Sequence, residues 1–88
     1  MKIYSIYDTK TSSFHIPFFA QSNGAALRIF MDETNRAHDN NMLFKHPADF
    51  VLYEIGTFDQ DSGKILPLLP PTRLTSGDEV RTLDQPSL

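Results

Sequence analysis

The stretch PFFAQSNGAALRIFMDET, residues 17–34, decides how the rest of the chain must fold. It places an aromatic pair behind a proline, turns through Ser-Asn-Gly, and continues as a run of helix formers. Four side chains in this run recur at the i, i+3, i+4, i+7 spacing of one helical face: Leu27, Phe30, Met31 and Thr34. This spacing predicts a helix over residues 23–35 that is capped by Ser22 or Asn23 and buries those side chains.

A helix of about 12 residues is too short to be stable alone, so it must pack on a sheet. Period-two alternation of β-branched and aromatic residues predicts strands at residues 2–8 and 50–58, and a shorter strand at 63–67. Residues 14–19 are a possible fourth strand, interrupted by Pro17. The predicted fold is therefore α+β, a small three- to four-stranded sheet with one helix packed on one face.

Proline marks the C-terminal part of the chain. Pro67, Pro70 and Pro71 lie within five residues, and no apolar period follows them. We therefore predict one domain over residues 1–67 and an extended or disordered arm over residues 68–88. The leucines of this arm favour docking on a partner subunit over a purely solvated tail.

Length and composition favour an oligomer. The chain has 88 residues, near the lower end of what folds alone, and it contains no cysteine that could form a disulfide. Small domains without disulfides or metals often gain stability by association. Both faces of the 50–58 strand are partly apolar, which predicts a central strand or one that meets another subunit. We therefore expect a homodimer.

The charge balance opposes strong binding to phosphates, because the formal net charge is -3 and both the domain and the arm are mildly acidic. No apolar run approaches the ~20 residues of a membrane span, and no signal-peptide pattern follows Met1. The sequence therefore predicts a soluble intracellular protein that makes no contact with membranes.

Catalytic chemistry is not evident. His15, His38 and His46 lack metal-ligand spacing, and the glycines are too far apart for a phosphate loop. The segment 59–64, DQDSGK, resembles a calcium loop only superficially: its glycine comes one position early and Pro70 stands where a bidentate Glu belongs. A hairpin turn is the preferred interpretation. We predict no catalytic residue, metal or cofactor, and hence a protein that is not an enzyme.

Aromatic residues are the most suggestive component, with seven Phe and three Tyr. Phe18 and Phe19 either fill the core or form an exposed platform on which an unpaired base could stack, and the sequence leaves both readings open. A single-strand binder also needs cations beside its aromatic rings. The candidate nucleic-acid contacts are Phe18, Phe19, Arg28, Lys45 and Lys64.

The order of several short motifs resembles the small non-structural protein of gokushovirus-type phages, which belong to the single-stranded DNA microviruses. The resemblance covers residues 1–66 and rests on KIYSI, PFF, NGAALRIF and HPADFVLYEIGTFDQDSG. It implies a protein of the host cell cytoplasm that acts in viral single-stranded DNA synthesis or packaging, by weak binding of the single strand. The alternative is an adaptor that recruits a phage or host replication or packaging protein through the 50–58 edge or the proline arm, without contacting DNA.

Overall fold

A computed structural model describes residues 1–82. Five strands form one antiparallel sheet: β1 (Lys2–Asp8), β2 (Ser13–Phe14), β3 (Phe18–Ala20), β4 (Phe50–Phe58) and β5 (Ile65–Ser76). Three helices and one 3₁₀ turn accompany it: α1 (Asn23–Thr34), α2 (Met42–Lys45), the 3₁₀ turn (Pro47–Asp49) and α3 (Gly77–Val80). The predicted α+β class is confirmed, although the sheet has five strands rather than three or four.

The sheet order is β2-β1-β4-β5, and β3 pairs with the same strand as β2. The strands predicted at residues 2–8 and 50–58 are confirmed residue for residue. The segment 14–19 also joins the sheet, split into two short strands around Pro17, which has no N–H to donate. β4 is paired on both sides, so it is a central strand and offers no free edge to an adaptor partner.

The helix α1 begins and ends as its sequence predicts. The Ser22 side chain accepts a hydrogen bond from the N–H of Ala25, and Asn35 is the C-cap. Its buried line is Ala26, Phe30 and Thr34, with Leu27 partly buried beside it. The predicted burial of Met31 is wrong, because this residue lies past the edge of the buried line and is 40% exposed.

The helices cover one face of the sheet. Side chains from three strands meet α1 and α2 in a single core, made of Tyr4, Ala20, Ala26, Phe30, Leu43, Phe50 and Leu52. Phe30 and Leu52 are almost completely inaccessible to solvent. Burying such side chains contributes about 1.5–3 kcal/mol each, and this gain must offset the entropy of ordering a small chain.

The strand predicted at residues 63–67 continues to Ser76, so the separate arm expected from residue 68 is wrong for the described part of the chain. The prolines interrupt the pairing without ending it. The register passes from Pro67 opposite Gly56 to Thr72 opposite Glu54, which leaves residues 68–71 standing opposite one residue of β4. We call residues 68–71 the proline bulge. Prolines are tolerated here because β5 is an edge strand.

Residues 77–82 close the fold over the end of α1. The Asn35 amide donates to the carbonyl of Val80 and its oxygen accepts from the N–H of Thr82. Gly77 lies so close to the backbone carbonyl of Pro47 that a Cβ could not be accommodated. The predicted domain boundary at residue 67 therefore does not exist, and the part of the arm at residues 83–88 lies outside the described residues.

The segment between β4 and β5 is the predicted hairpin turn. Gly63 has φ +76°, the left-handed conformation that glycine adopts without strain. The Asp59 carboxylate accepts hydrogen bonds from the N–H of Asp61 and the hydroxyl of Ser62, both at 2.9 Å. These bonds lower the pKa of Asp59 and show that its role is to shape the turn.

Candidate functional site

None of the helices in residues 1–82 lies over the second face of the sheet, and we call it the helix-free face. Alternation along β1 sends Tyr4 toward the helices and its neighbours Ser5 and Tyr7 to the opposite side. On β4 the same alternation exposes Tyr53 on the side away from Leu52. An antiparallel sheet commonly presents polar residues to solvent on its open face, so aromatic residues there require an explanation.

Three aromatic rings meet on this face. The ring centroids of Tyr7 and Phe14 are 4.8 Å apart, those of Phe14 and Tyr53 are 5.6 Å apart, and those of Tyr7 and Tyr53 are 6.3 Å apart. With Pro70 and Pro71 they line a shallow open cavity of about 480 Å³, which we call the aromatic groove. Phe14 remains 47% exposed despite these contacts. Solvent therefore reaches the flank of an apolar cluster that a larger partner could cover.

Strand pairing assembles the groove. Tyr7 lies opposite Phe14 on one side and opposite Val51 on the other, which brings β2 beside the middle of the sheet. The wall of the groove comes from the proline bulge, because its extra residues push Pro70 and Pro71 out of the regular ladder. Without the bulge, the chain at this point would lie flat in β5.

The groove carries almost no charge. The residues of β1 and β4 around the groove carry no formal charge: Ile3, Ser5, Tyr7, Val51 and Tyr53. The charged neighbour is Arg73, which stands opposite Tyr53 in the register. Its guanidinium lies 3.2 Å from the Glu79 carboxylate, so its charge is balanced within the chain. The surface therefore suits an uncharged, apolar partner.

Phe18 and Phe19 occupy opposite sides of the sheet, as neighbours on a strand must. Phe18 packs against the core and stacks on Tyr4, with ring centroids 5.7 Å apart. Phe19 faces the helix-free side, is 48% exposed and makes an edge contact with Phe58 at 5.8 Å. The two readings left open for this pair thus divide between its members: Phe18 is a packing residue and Phe19 is accessible.

The candidate cations do not gather around Phe19. Arg28 is exposed on α1, in the helical layer that covers the other face, and it borders a shallow depression of about 510 Å³. Lys45 is exposed at the end of α2, and Lys64 is exposed in the turn between β4 and β5. Phe19 and Arg28 lie on opposite sides of the sheet, so the five predicted contacts do not form one continuous groove.

A polar cluster, separate from the aromatic groove, lies where α1 begins. Both the Tyr4 hydroxyl, at 2.7 Å, and the Lys2 ammonium, at 3.5 Å, donate to the side-chain oxygen of Asn23. The Lys2 ammonium is also 3.7 Å from the buried Glu54 carboxylate. Burial, together with the nearby Glu54 charge, raises the pKa of Tyr4. These contacts join the first turn of the helix to the sheet, and their members are already paired with one another.

Two features of the described chain bear on other kinds of site. Within residues 1–82, no group of three or more histidine, aspartate or glutamate side chains is placed to hold a metal ion. No helix in that range is long and apolar enough to cross a membrane.

The residues of the aromatic groove are not among the sequence-predicted site residues. A signal for them was present, because alternation places Tyr7 and Tyr53 on the side of their strands opposite Tyr4 and Leu52. What the sequence lacked was the pairing that places Phe14 and the proline bulge beside them. The groove is formed by four separate segments of the chain.

Comparison with known proteins identifies the family of the chain. Searches of curated proteins and of solved structures gave no match. A family model described as Phage ORF5 protein matches residues 1–80. The matched region ends with α3, so it includes β5 and the proline bulge as well as the segments that the motifs had identified. The chain is a bacteriophage protein and belongs to the Phage ORF5 protein family.

Proposed function

We propose that this phage protein is a non-catalytic accessory factor in viral single-stranded DNA synthesis or packaging in the host cytoplasm, and that it works by docking another protein on its helix-free face. The phage assignment comes from the family. The role in single-stranded DNA synthesis or packaging comes from the resemblance to the gokushovirus non-structural protein. The mode of action comes from the chemistry of the aromatic groove.

The observation that carries the proposal is an exposed aromatic cluster on an uncharged sheet face. The centre of a protein interface is typically rich in tyrosine and phenylalanine and poor in charged residues. Tyrosine is also enriched among the residues that contribute most to binding. The aromatic groove has this composition, and proline walls give it a rigid shape.

Electrostatics supports a protein partner over nucleic acid. Binding of a nucleic acid backbone draws its affinity from cations that neutralise phosphates. The chain has a net charge of -3. Arg73, the cation beside the groove, is engaged by Glu79. A single strand lying across the groove would therefore gain stacking energy but little phosphate attraction.

Direct contact with single-stranded DNA is the second candidate, and one observation favours it. Three aromatic rings on an open sheet face resemble the arrangement on which some RNA- and DNA-binding domains stack unpaired bases. Phe19 and Lys64 would then extend the contact along the same sheet. Under this candidate the bases bind the groove and the phosphates remain largely solvated.

An infection experiment tests the docking face. Phage carrying Phe14→Ser should give a several-fold lower ratio of single-stranded to double-stranded viral DNA, because the exposed ring supplies part of the apolar contact. Ile29→Ser is a matched control, since Ile29 is 49% exposed but lies on α1. Equal ratios for the two variants and the native phage would contradict the proposed face.

A binding experiment separates the two candidates. Fluorescence anisotropy with a labelled single-stranded oligonucleotide should show only weak binding, equal in Phe14→Ser and Ile29→Ser, if a protein is the partner. Binding that is lost in Phe14→Ser but persists in Ile29→Ser, with a shallow salt slope because few phosphates are neutralised, would favour the DNA candidate instead. The measurement uses the native full-length chain as its reference.

A further inference from the structure

We propose that a second copy of this chain occupies the helix-free face, so that the proline bulge of each copy enters the aromatic groove of the other. This inference rests on the proposed function only in taking the face to be a protein-docking surface. It names the occupant of that surface. The arrangement is a two-fold dimer with its sheets packed face to face and its helices on the outside.

The first argument is that the same patch carries both a projection and a recess. Leu69 lies within the proline bulge and is 85% exposed, the most exposed leucine of the described chain. Its neighbours Pro70 and Pro71 line the aromatic groove. A two-fold contact uses the same surface patch on both subunits, so the patch must complement itself. A projecting leucine beside an apolar recess meets this requirement.

The second argument is the low polarity of the bulge. Three of the five residues at positions 67–71 are prolines, which have no N–H. Burying this segment therefore leaves few backbone donors without a partner, and such donors are costly to remove from water. Proline and leucine side chains also pack well on aromatic rings, as extended proline-rich segments do in aromatic-lined grooves.

The third argument is area. β1, β4 and β5, together with the short β2 and β3 that both run alongside β1, are about 4.8 Å apart and about seven residues in extent, which gives a face of roughly 450 Å² in projection. The accessible area of such a face is larger, because its side chains project from it. Phe14, Phe19 and Ile65 leave about half or more of their surface exposed on the sheet. A face-to-face contact thus approaches the ~800 Å² that a standard stable interface takes from each partner.

The fourth argument is charge. Two copies of a chain with net charge -3 repel each other wherever their acidic surfaces meet. On the helix-free face, β1 and β4 contribute no charge, and Arg73 is paired with Glu79 within its own chain. Joining two copies through this face therefore keeps their acidic residues on the outside, exposed to solvent. The uncharged face is the one on which self-association is electrostatically least costly.

Light scattering on the full-length protein gives the first test. We expect twice the chain mass of 10.0 kDa at high micromolar concentration. Leu69→Asp should weaken self-association by about tenfold or more, because it places a charge in an apolar recess. Ile29→Asp, on the outer helix, should leave the dimer unchanged. Circular dichroism checks that both variants fold, and Phe14→Ser supplies an independent loss of dimer should Leu69→Asp not fold.

Spin labels test the geometry, since the chain has no native cysteine. Labels on Leu69→Cys should lie on the order of 20 Å apart or closer in the dimer, because packed sheets are about 10 Å apart. Labels on Ile29→Cys should be about 30 Å or more apart, because a helix layer adds about 10 Å on each side. A dimer in which the Leu69 labels are the more distant pair would overturn the inference.

The outcomes also separate this inference from the proposed function. A monomer mass at all concentrations overturns the dimer, while a loss of single-stranded viral DNA in Phe14→Ser would still support a docking face for another protein. A dimer that dissociates on Leu69→Asp supports the inference even if viral DNA synthesis is unaffected. If the dimer dissociates but viral DNA synthesis is unaffected, the proposed function is contradicted and the proposed dimer is supported.

Discussion

The two faces of the sheet use the same kinds of residue with opposite results. On the covered face, Tyr4 and Leu52 are fully buried beneath the helices. On the helix-free face, Tyr7 lies three positions after Tyr4 and Tyr53 lies one position after Leu52, yet their rings line an accessible groove. The alternation of β1 and β4 produces two apolar faces, and the part of the chain that the structure describes supplies helices for only one.

The difference teaches that burial here depends on which elements the chain can place over each face. The segments 23–34, 42–49 and 77–82 all lie on the covered side, where α1, α2 and α3 contact one another or the 3₁₀ turn. β4 and β5 are joined by a tight hairpin, so no connecting segment crosses the other face there. The helix-free face is therefore left uncovered by the helices of residues 1–82, and changes on each face should have different effects.

The largest expected effect contrasts two phenylalanines. Phe30→Ala should lower the free energy of unfolding by about 3–5 kcal/mol, because removing this fully buried ring leaves a cavity in the core. Phe14→Ala should cost a monomer about 1 kcal/mol or less, since half of its ring is already in water. Urea unfolding at low protein concentration measures both. Similar losses for the two variants would mean that the helix-free face is as important for folding as the core.

A smaller effect of opposite sign is expected on the covered face. The hydroxyl of Thr34 is buried without a hydrogen-bond partner among the described residues. Thr34→Val replaces it with a methyl group of similar size and should raise the free energy of unfolding by about 1 kcal/mol. Thr34→Ala, which also empties space, should not give this gain. A loss of stability in Thr34→Val would show that the hydroxyl bonds to a group in the folded chain.

The smallest effect concerns pH at the end of β5. Hydrogen bonds from the N–H of Ser76 and the hydroxyl of Thr75 lower the pKa of Glu79, with a further contribution from Arg73. A lowered folded-state pKa stabilises the fold above the unfolded value, and this gain is lost as pH falls through the folded value. Glu79→Gln should therefore flatten the acid limb of stability against pH, below about pH 4.

Glu33→Gln provides the comparison for that pH measurement. The Arg36 guanidinium lowers the pKa of Glu33 through hydrogen bonds within α1, so the sign of the effect is the same. Glu79 joins β5 to α3, whereas Glu33 stabilises only a local turn. Hydrogen exchange at residues 73–82 should therefore increase as the pH falls in the native chain and equally in Glu33→Gln. In Glu79→Gln the same exchange should depend less on pH. Equal exchange in the two variants would contradict this role of Glu79.

Much of the fold could be predicted from the sequence because it depends on local chemistry. The bounds of β1 and β4, the Ser22 cap of α1 and the left-handed Gly63 all follow from residues within a few positions of one another. The 3₁₀ turn before β4 has a local origin as well, in Pro47 and the aspartate two residues after it.

The errors arose where distant segments decide the outcome. Three prolines predicted the end of the sheet, but β4 holds residues 72–76 in register beyond them. Met31 matches the helical period, but the covering elements meet α1 along the line of Phe30 and Thr34. In both cases local preference was overridden by packing against an element elsewhere in the chain.

The sequence by itself determined the class of the fold, the main helix, the two long strands and the family to which the chain belongs. Only the tertiary structure decided that Phe18 is packed and Phe19 accessible, and that Tyr7, Phe14, Tyr53 and two prolines form one groove. The physical reason is that periodicity reports which side of a strand a residue occupies. Which residues become neighbours across a sheet is set by pairing between segments up to 64 positions apart.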